Sequence, residues 1–428
     1  MTITGKVEPP LTATGQRVRM LAINQVTSPL FGDLVDSFVD CCQTVRLLAG
    51  ELKSGPDRDR FEWLRATGLV RSPAWKRIWT WSVFTCQALW AMAKHHDHFV
   101  LMTTNPPLVP WVAPLAKRLF GIRYALLVYD VYPDVLSRMG MIRPDGLVER
   151  LLRRLNAHSM RRADCVITIG ECMKHTLLAH LSPEQQLPIE VIPNWADTET
   201  IQPISRAANR FAREHGLMDK FVVMYSGNFG ATHDVESIVD AAALLIDLPD
   251  IQFVLVGAGT RLEEVRHYVR AKALPNLLLL GWLPAEQLPF SITSADCLVV
   301  SLDAGYEGIS VPGKTYTSLA AGAAMLAVTP RQTELANLVF DEQCGVWVPP
   351  RSSVDLAKAV RGLHADRSRV DRMKANARAA AEAHYNVEVC TRRYREILLP
   401  MMARLNRAVP SRSVPEQTTG CLPPLPWK

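Results

Sequence analysis

Short apolar runs alternate with stretches of helical spacing along most of the chain. The first series is VRMLAINQV at 18–26, FVLMTT at 99–104, YALLVYD at 124–130, CVITIG at 165–170 and IEVIPN at 189–194. A second series runs FVVMYSG at 221–227, IQFVLVGAG at 251–259, LLLLGW at 277–282, CLVVSL at 297–302, AMLAVT at 324–329 and GVWVPP at 345–350. Runs of this length, rich in Val and Ile and separated by amphipathic segments, predict buried parallel strands in doubly wound sheets. Segments such as VESIVDAAALLI and TELANLVF supply the covering helices. The polar stretch between Asn194 and Phe221 suits a crossover from one unit to the next.

This pattern predicts an α/β protein of two Rossmann-like lobes, residues 17–203 and 204–386. A helix at 387–407 is expected to pack back on the lobes, and the proline-rich tail 408–428 to be disordered. The length of 428 residues agrees, because one core seldom grows that large. With 48% hydrophobic and 21% charged residues the chain reads as globular, neither intrinsically disordered nor a polytopic membrane protein. Nine cysteines without regular spacing fit a reducing cytoplasm, and the first twenty residues lack the apolar core of a signal peptide. A net charge of +6 favours contact with phosphates or anionic lipid. No basic run interleaved with aromatics points to nucleic acid.

One segment departs from this picture. Residues 58–93, RDRFEWLRATGLVRSPAWKRIWTWSVFTCQALWAMA, mix tryptophans with arginine and lysine, the composition of a helix lying in a membrane interface. The plainer reading is an ordinary helix of the first lobe. The apolar part, Ile78 to Ala93, is shorter than the ~20 residues that a bilayer-spanning helix needs.

Candidate chemistry concentrates in YEGISVPGKT at 306–315, which matches the letters of a Walker phosphate loop. The context argues against a P-loop. The following helix stops at Gly322, and too few strands follow to complete that core. The residues still suit an anion. Gly308 and Gly313 permit close backbone approach, and Lys314 can place a positive charge beside backbone N–H groups. A second glycine turn, Gly227, Asn228 and Gly230 in YSGNFGATHD, directly follows a strand. Two such turns at the C-terminal strand ends of one sheet are where open α/β sheets bind ligands, and a nucleoside diphosphate could span them.

At this point YSGNFGATHDVESIVDAA, FVLVGAG, LGWLPAEQLPFSITSADCLVVSL, EGISVPGKTYTSLAAG and TELA resemble the C-terminal nucleotide-sugar domain of group 1, family-4-type glycosyltransferases of the GT-B fold. TTNPPLVPWVAPLAKRLFGIRYALLVYDVYPDV, RADCVITIGECMKHTL and VIPNWADTETIQP resemble their acceptor lobe, so the likeness covers about residues 17–400.

The resemblance implies a cleft between the lobes, with a nucleotide-diphosphate sugar on the C-lobe and a saccharide or polyprenyl-linked acceptor on the N-lobe. It further implies retention of anomeric configuration and a role in cell-surface polysaccharide synthesis. Glu307 matches the first acid of the family's paired-Glu motif near the transferred sugar, although a loop carboxylate could equally cap a helix. Lys314 would meet the diphosphate. Gly227, Asn228, Gly230, His233, Gly257, Gly308, Ser310 and Gly313 are candidate donor contacts. Thr317 stands where relatives carry the second Glu, and as a neutral, shorter group it can still hydrogen-bond a ribose hydroxyl. The basic pair that many relatives carry after the first C-lobe strand is absent, which shifts electrostatic weight to Lys314 and backbone N–H groups.

In the N-lobe, Asp130 matches the family's carboxylate and would steer the acceptor hydroxyl, with a capping role as the alternative. Asp134 and Asn105 are further acceptor-side candidates. HHDH at 95–98 and DRD at 57–59 resemble metal motifs but lack the required context, so neither a metal nor another cofactor is expected. Contact with a membrane surface, from the cytoplasmic side, would suit a lipid-linked acceptor. An epimerase on the same fold and a non-catalytic sugar-nucleotide-binding protein are the rival readings.

Overall fold

The computed structural model describes residues 18–52, 60–70, 72–182, 184, 187–230 and 234–403. His233, the DRD stretch and the proline-rich tail lie outside the described residues.

The N-lobe contains strands β1 (Arg19–Ile23), β2 (Val26–Thr27), β3 (Thr44–Ala49), β4 (Glu51–Leu52), β5 (Glu62–Arg65), β6 (Phe99–Thr103), β7 (Arg123–Val128), β8 (Cys165–Thr168) and β9 (Glu190–Val191). Seven form a parallel sheet in the order β5-β3-β1-β6-β7-β8-β9, and β2 pairs with β4 separately. The C-lobe sheet, also parallel, comprises β10 (Phe221–Asn228), β11 (Ile251–Ala258), β12 (Leu277–Leu280), β13 (Cys297–Ser301), β14 (Ala324–Val328) and β15 (Gly345–Val348). Its order is β12-β11-β10-β13-β14-β15. The central strands β6, β13 and β14 are buried at every position. Helices cover both sheet faces there, which is why these strands read as unbroken apolar runs. The edge strands β5 and β12 contain no buried residue.

Two strands are not evident in the apolar pattern. Arg46 interrupts β3, and its charge is accommodated by Glu62 of β5 at 2.7 Å and by His98 at 2.7 Å. The segment at 58–93, expected as one helix, divides in the structure. Glu62–Arg65 is a half-exposed edge strand, and the helix runs from Ala74 to Lys94, behind Pro73. Proline suits that boundary because it lacks an N–H and fixes φ.

Each sheet reverses winding direction once, and ligands of doubly wound sheets bind where the flanking loops diverge. In the N-lobe the reversal lies between β1 and β6, where Gln25 N–H donates to the Asn105 carbonyl at 2.9 Å. In the C-lobe it lies between β10 and β13, below the end of β10 at Gly227 and the 302–313 loop.

The lobes share core residues. The last helix, Val387–Ala403, buries Cys390, Tyr394, Leu398 and Met402 in the N-lobe core. Ile309, from the loop after β13, is buried in that core too, and its carbonyl accepts from Val131 N–H at 2.9 Å.

Candidate active site

Gly227 and Asn228, expected in a turn, instead belong to the end of β10, where Gly227 at φ +149° pairs with Gly257 of β11 at φ +157° because neither carries a side chain. Side chains seldom adopt either conformation, and a Cβ on Gly257 would overlap the Gly227 carbonyl. Asn228 fills the space beside Gly230 and Gly259, so a side chain at either glycine would collide with it.

Across the reversal point stands Lys314, the first residue of the helix Lys314–Ala320. Its ammonium lies 3.7 Å from the centroid of the Tyr225 ring, and a Cβ at Gly227 would lie 3.1 Å from Nζ. The Nζ is buried and makes no hydrogen bond. Burial pushes the amine down from 10.5 to about 7. A buried amine without a countercharge is costly, and here it points at glycine backbone where an anion can approach.

Beneath it opens a largely apolar cavity of ≈ 340 Å³, lined by Gly227, Gly257, Trp282, Ile292, Lys314 and Thr317 among others. Three of the candidate donor contacts therefore border one cavity with Lys314. Trp282 and Ile292 were not expected there. Trp282 stands two residues beyond β12 in LGWLP, and a tryptophan just after a strand end was the available signal. Tyr225 was hidden within an apolar strand.

The loop after β13 holds Glu307, half-buried, with Oε2 accepting from Gly305 N–H at 2.7 Å. Gly308 adopts φ +61°, and a side chain there would strike Thr176 and the Cys172 carbonyl of the N-lobe helix Glu171–Ala179. Its small size thus serves the contact between lobes. Ser310 follows, half-buried, and Gly313 precedes the Lys314 helix with open space beside its α-carbon.

On the N-lobe side, Asp130 lies just beyond β7, and burial raises its carboxyl to about 6. Asp134 is occupied differently. Its Oδ1 accepts from Arg153 at 3.0 Å, and Oδ2 lies 3.2 Å from His180 Nε2. Burial opposes its charge, but the His180 hydrogen bond and Arg153 hold the carboxyl below the usual range. These bonds commit Asp134 to holding the helix Leu147–Arg162 against the loop. Asn105 is half-buried at the N-lobe reversal point, its N–H donating to Thr103 Oγ1 at 3.2 Å.

Two further acids emerged only in three dimensions. Glu334, opening the C-lobe helix Glu334–Asp341, reaches across the cleft and accepts from the backbone N–H groups of Cys172 and Met173. It caps the N-lobe helix Glu171–Ala179, which has no side-chain cap of its own. Asp33 accepts from Trp195 Nε1 at 3.3 Å, where the chain leaves the N-lobe. Burial, only partly offset by that bond, raises Asp33 to about 6.

Among the described residues, no group of three or more His, Cys, Asp and Glu is placed to hold a metal ion. In the 95–98 stretch, His98 binds Asp97 at 2.6 Å and Arg46 at 2.7 Å.

Two parallel, doubly wound lobes facing one cleft define the GT-B class of fold. The family model for glycosyl transferases group 1 matches residues 220–366, and that for the glycosyl transferase 4-like domain matches residues 13–195. The chain belongs to this group 1, family-4-type glycosyltransferase family. It is 30% identical over 261 residues to probable glycosyltransferase WbjE of Pseudomonas aeruginosa, a match covering 61% of this chain and 64% of that one. It is 26% identical over 255 residues to the putative colanic acid biosynthesis glycosyl transferase WcaI of Escherichia coli, covering 58% and 61% respectively. The chain thus matches under two thirds of the length of either relative. Among solved structures, HepE of Anabaena in complex with UDP superposes with a TM-score of 0.69 at 15% identity, over 89% of this chain and 99% of that one.

Proposed function

We propose that the protein transfers a sugar from a nucleotide-diphosphate donor, held on the C-lobe, to a saccharide or polyprenyl-linked acceptor presented by the N-lobe. The observation that carries this reading is Lys314, whose buried Nζ makes no hydrogen bond and meets Gly227 above an apolar cavity at the sheet's reversal point. A diphosphate would supply the missing countercharge, and the cavity would take the nucleoside. As the glycosidic bond breaks, charge develops on the leaving diphosphate, and the ammonium stabilises it most in the transition state.

Asp130, held near 6 by burial, is ionised at neutral pH and can accept a proton from, or orient, the acceptor hydroxyl. Glu307 stands in the loop leading into the Lys314 helix and is assigned to the transferred sugar. Thr317, on the cavity wall, is assigned to the ribose. The family likeness supports transfer with retention of configuration. The name of WcaI, a colanic acid biosynthesis transferase, supports a part in polysaccharide synthesis, and the UDP complex of HepE supports a nucleotide donor. We place the reaction at the cytoplasmic face of the membrane, without a metal.

The test is incubation of purified protein with UDP-, GDP- and dTDP-sugars and membrane lipid extract. Nucleotide release that requires the extract supports transfer. A changed sugar without nucleotide release indicates an epimerase, and binding without turnover a non-catalytic binder. Full transfer by Glu307→Ala and Lys314→Ala variants would refute the site assignment.

A further inference from the structure

We propose that one helical face of the N-lobe is a docking surface for an anionic lipid bilayer, next to the mouth of the cleft. The helices Ala74–Lys94, Val109–Phe120 and Leu147–Arg162 pack side by side on the sheet. Their outer positions carry unusually large apolar side chains: Trp75 is 65% exposed, Trp79 66%, Trp90 63% and Leu147 85%. Ile78, Val148 and Leu151 are also exposed, as are Met139 and Met141 in the loop before the third helix. Soluble surfaces seldom gather so many in one place unless something covers them.

The charge on the same face selects the occupant. Residues 72–94 contain no Asp or Glu. In residues 134–162, Arg153 is paired with Asp134 and Glu149 and Arg138 lies beside Gly305 of the C-lobe, which leaves Arg143, Arg150, Arg154, Arg161 and Arg162 exposed against Asp145. Lys76 lies 5.5 Å from the Trp75 ring centroid and Lys94 5.0 Å from that of Trp90. Tryptophan flanked by lysine and arginine, with acids excluded, matches the acyl–headgroup boundary of a negatively charged leaflet. The three exposed tryptophans of this face all lie on the helix Ala74–Lys94, and exposed Leu115, Leu119, Leu147 and Leu151 carry the apolar surface onto its two neighbours. No helix among the described residues is long and apolar enough to cross a membrane, so the contact is peripheral.

Topology fixes where this surface lies. All three helices begin at the C-terminal edge of the sheet, the edge that faces the cleft, because each follows a strand of a parallel sheet. Trp75, Ile78 and Trp79 therefore lie at the cleft end, as do Leu147, Val148 and Leu151. Arg77 Nη2 contacts Met141 Sδ at 3.2 Å, joining the first helix to the 139–141 loop. The short helix Asp134–Arg138 connects that loop to the segment holding Asp130. A lipid-linked acceptor would then enter the cleft from the bilayer without leaving it, a link that rests on the transferase reading.

The experiment is flotation of the full chain with vesicles of phosphatidylglycerol and phosphatidylethanolamine, or of phosphatidylcholine alone, without donor or acceptor. We expect flotation with the anionic vesicles only, decreasing as salt is raised. The variants Trp75→Ser with Trp79→Ser, and Arg150→Glu with Arg154→Glu, should each reduce it at least tenfold. All four side chains point outward, so melting temperatures should not change, and Arg372→Glu on the C-lobe should float like the parent. Equal flotation with neutral vesicles, none at low salt, or unaltered flotation of both double variants overturns the proposal. Self-association through this face without flotation overturns it as well. Transfer to a soluble saccharide, assayed separately, shows whether the docking surface or the transferase reading has failed.

Discussion

Replacing Lys314 with Met removes the charge and keeps an unbranched side chain of similar length. At ~1.4 kcal/mol per tenfold change in proton affinity, the fall from 10.5 to about 7 sets a ceiling of about 5 kcal/mol on keeping the ammonium at this buried position. The folded value lies below the unfolded one, so the unfolded chain binds more protons between about pH 7 and pH 10.5. This residue's contribution to stability therefore rises with pH through that window, and its penalty is largest below about pH 7. A diphosphate beside Nζ restores the ammonium. Binding should take up about half a proton at about pH 7 and close to one at about pH 8.5. Affinity should weaken by up to about tenfold per pH unit above about pH 7. Calorimetry in two buffers of different ionisation enthalpy reads the uptake directly, using whichever of UDP, GDP and dTDP binds. For Lys314→Met, uptake should vanish, affinity should drop by about a hundredfold or more, and the ligand-free protein should melt a few degrees higher. Affinity independent of pH without proton uptake, or a variant that melts lower than the parent, would refute the reasoning.

Three other outcomes follow from the geometry. Asp130→Asn should lower kcat by roughly 10²–10⁴-fold while leaving nucleotide affinity unchanged; in the parent, activity should fall on acidification through an apparent pKa near 6, visible in a pH–rate profile. Glu334→Ala strands the Cys172 and Met173 N–H groups and should cost about 1–3 kcal/mol in urea denaturation; Gly170→Ala, whose Cβ would overlap Glu334, should shift the midpoint in the same direction, and unchanged midpoints would exclude this cap as a clamp between lobes. Gly257→Ala combines φ +157° with overlap onto the Gly227 carbonyl and should destabilise by more than about 2 kcal/mol with loss of nucleotide binding, measured by denaturation and titration.

Much of the fold was legible because parallel strands buried on both faces leave continuous apolar runs, as in β13 and β14. β3 escaped notice because Arg46 breaks its run and is neutralised by a partner strand distant in sequence. β5 escaped because an edge strand buries too little to leave a pattern, and Trp63 and Trp81 made the whole stretch read as one helix. At the site, glycines and a lysine are local signals. The occupation of Asp134 by Arg153 and His180, the reach of Glu334 into the other lobe and the packing of Gly308 against Thr176 are set by residues far apart in the chain. No spacing in the sequence encodes them.

The return of helix Val387–Ala403 into the N-lobe core bears on how the molecule is made. The N-lobe is synthesised first, yet Cys390, Tyr394, Leu398 and Met402, which complete its interior, emerge only after the entire C-lobe. During translation the C-lobe can therefore close while the earlier lobe still exposes an apolar groove. A released chain that ended at residue 386 would have every strand and helix of the second lobe but lack four buried side chains of the first, so the last helix completes the core of the lobe made earliest.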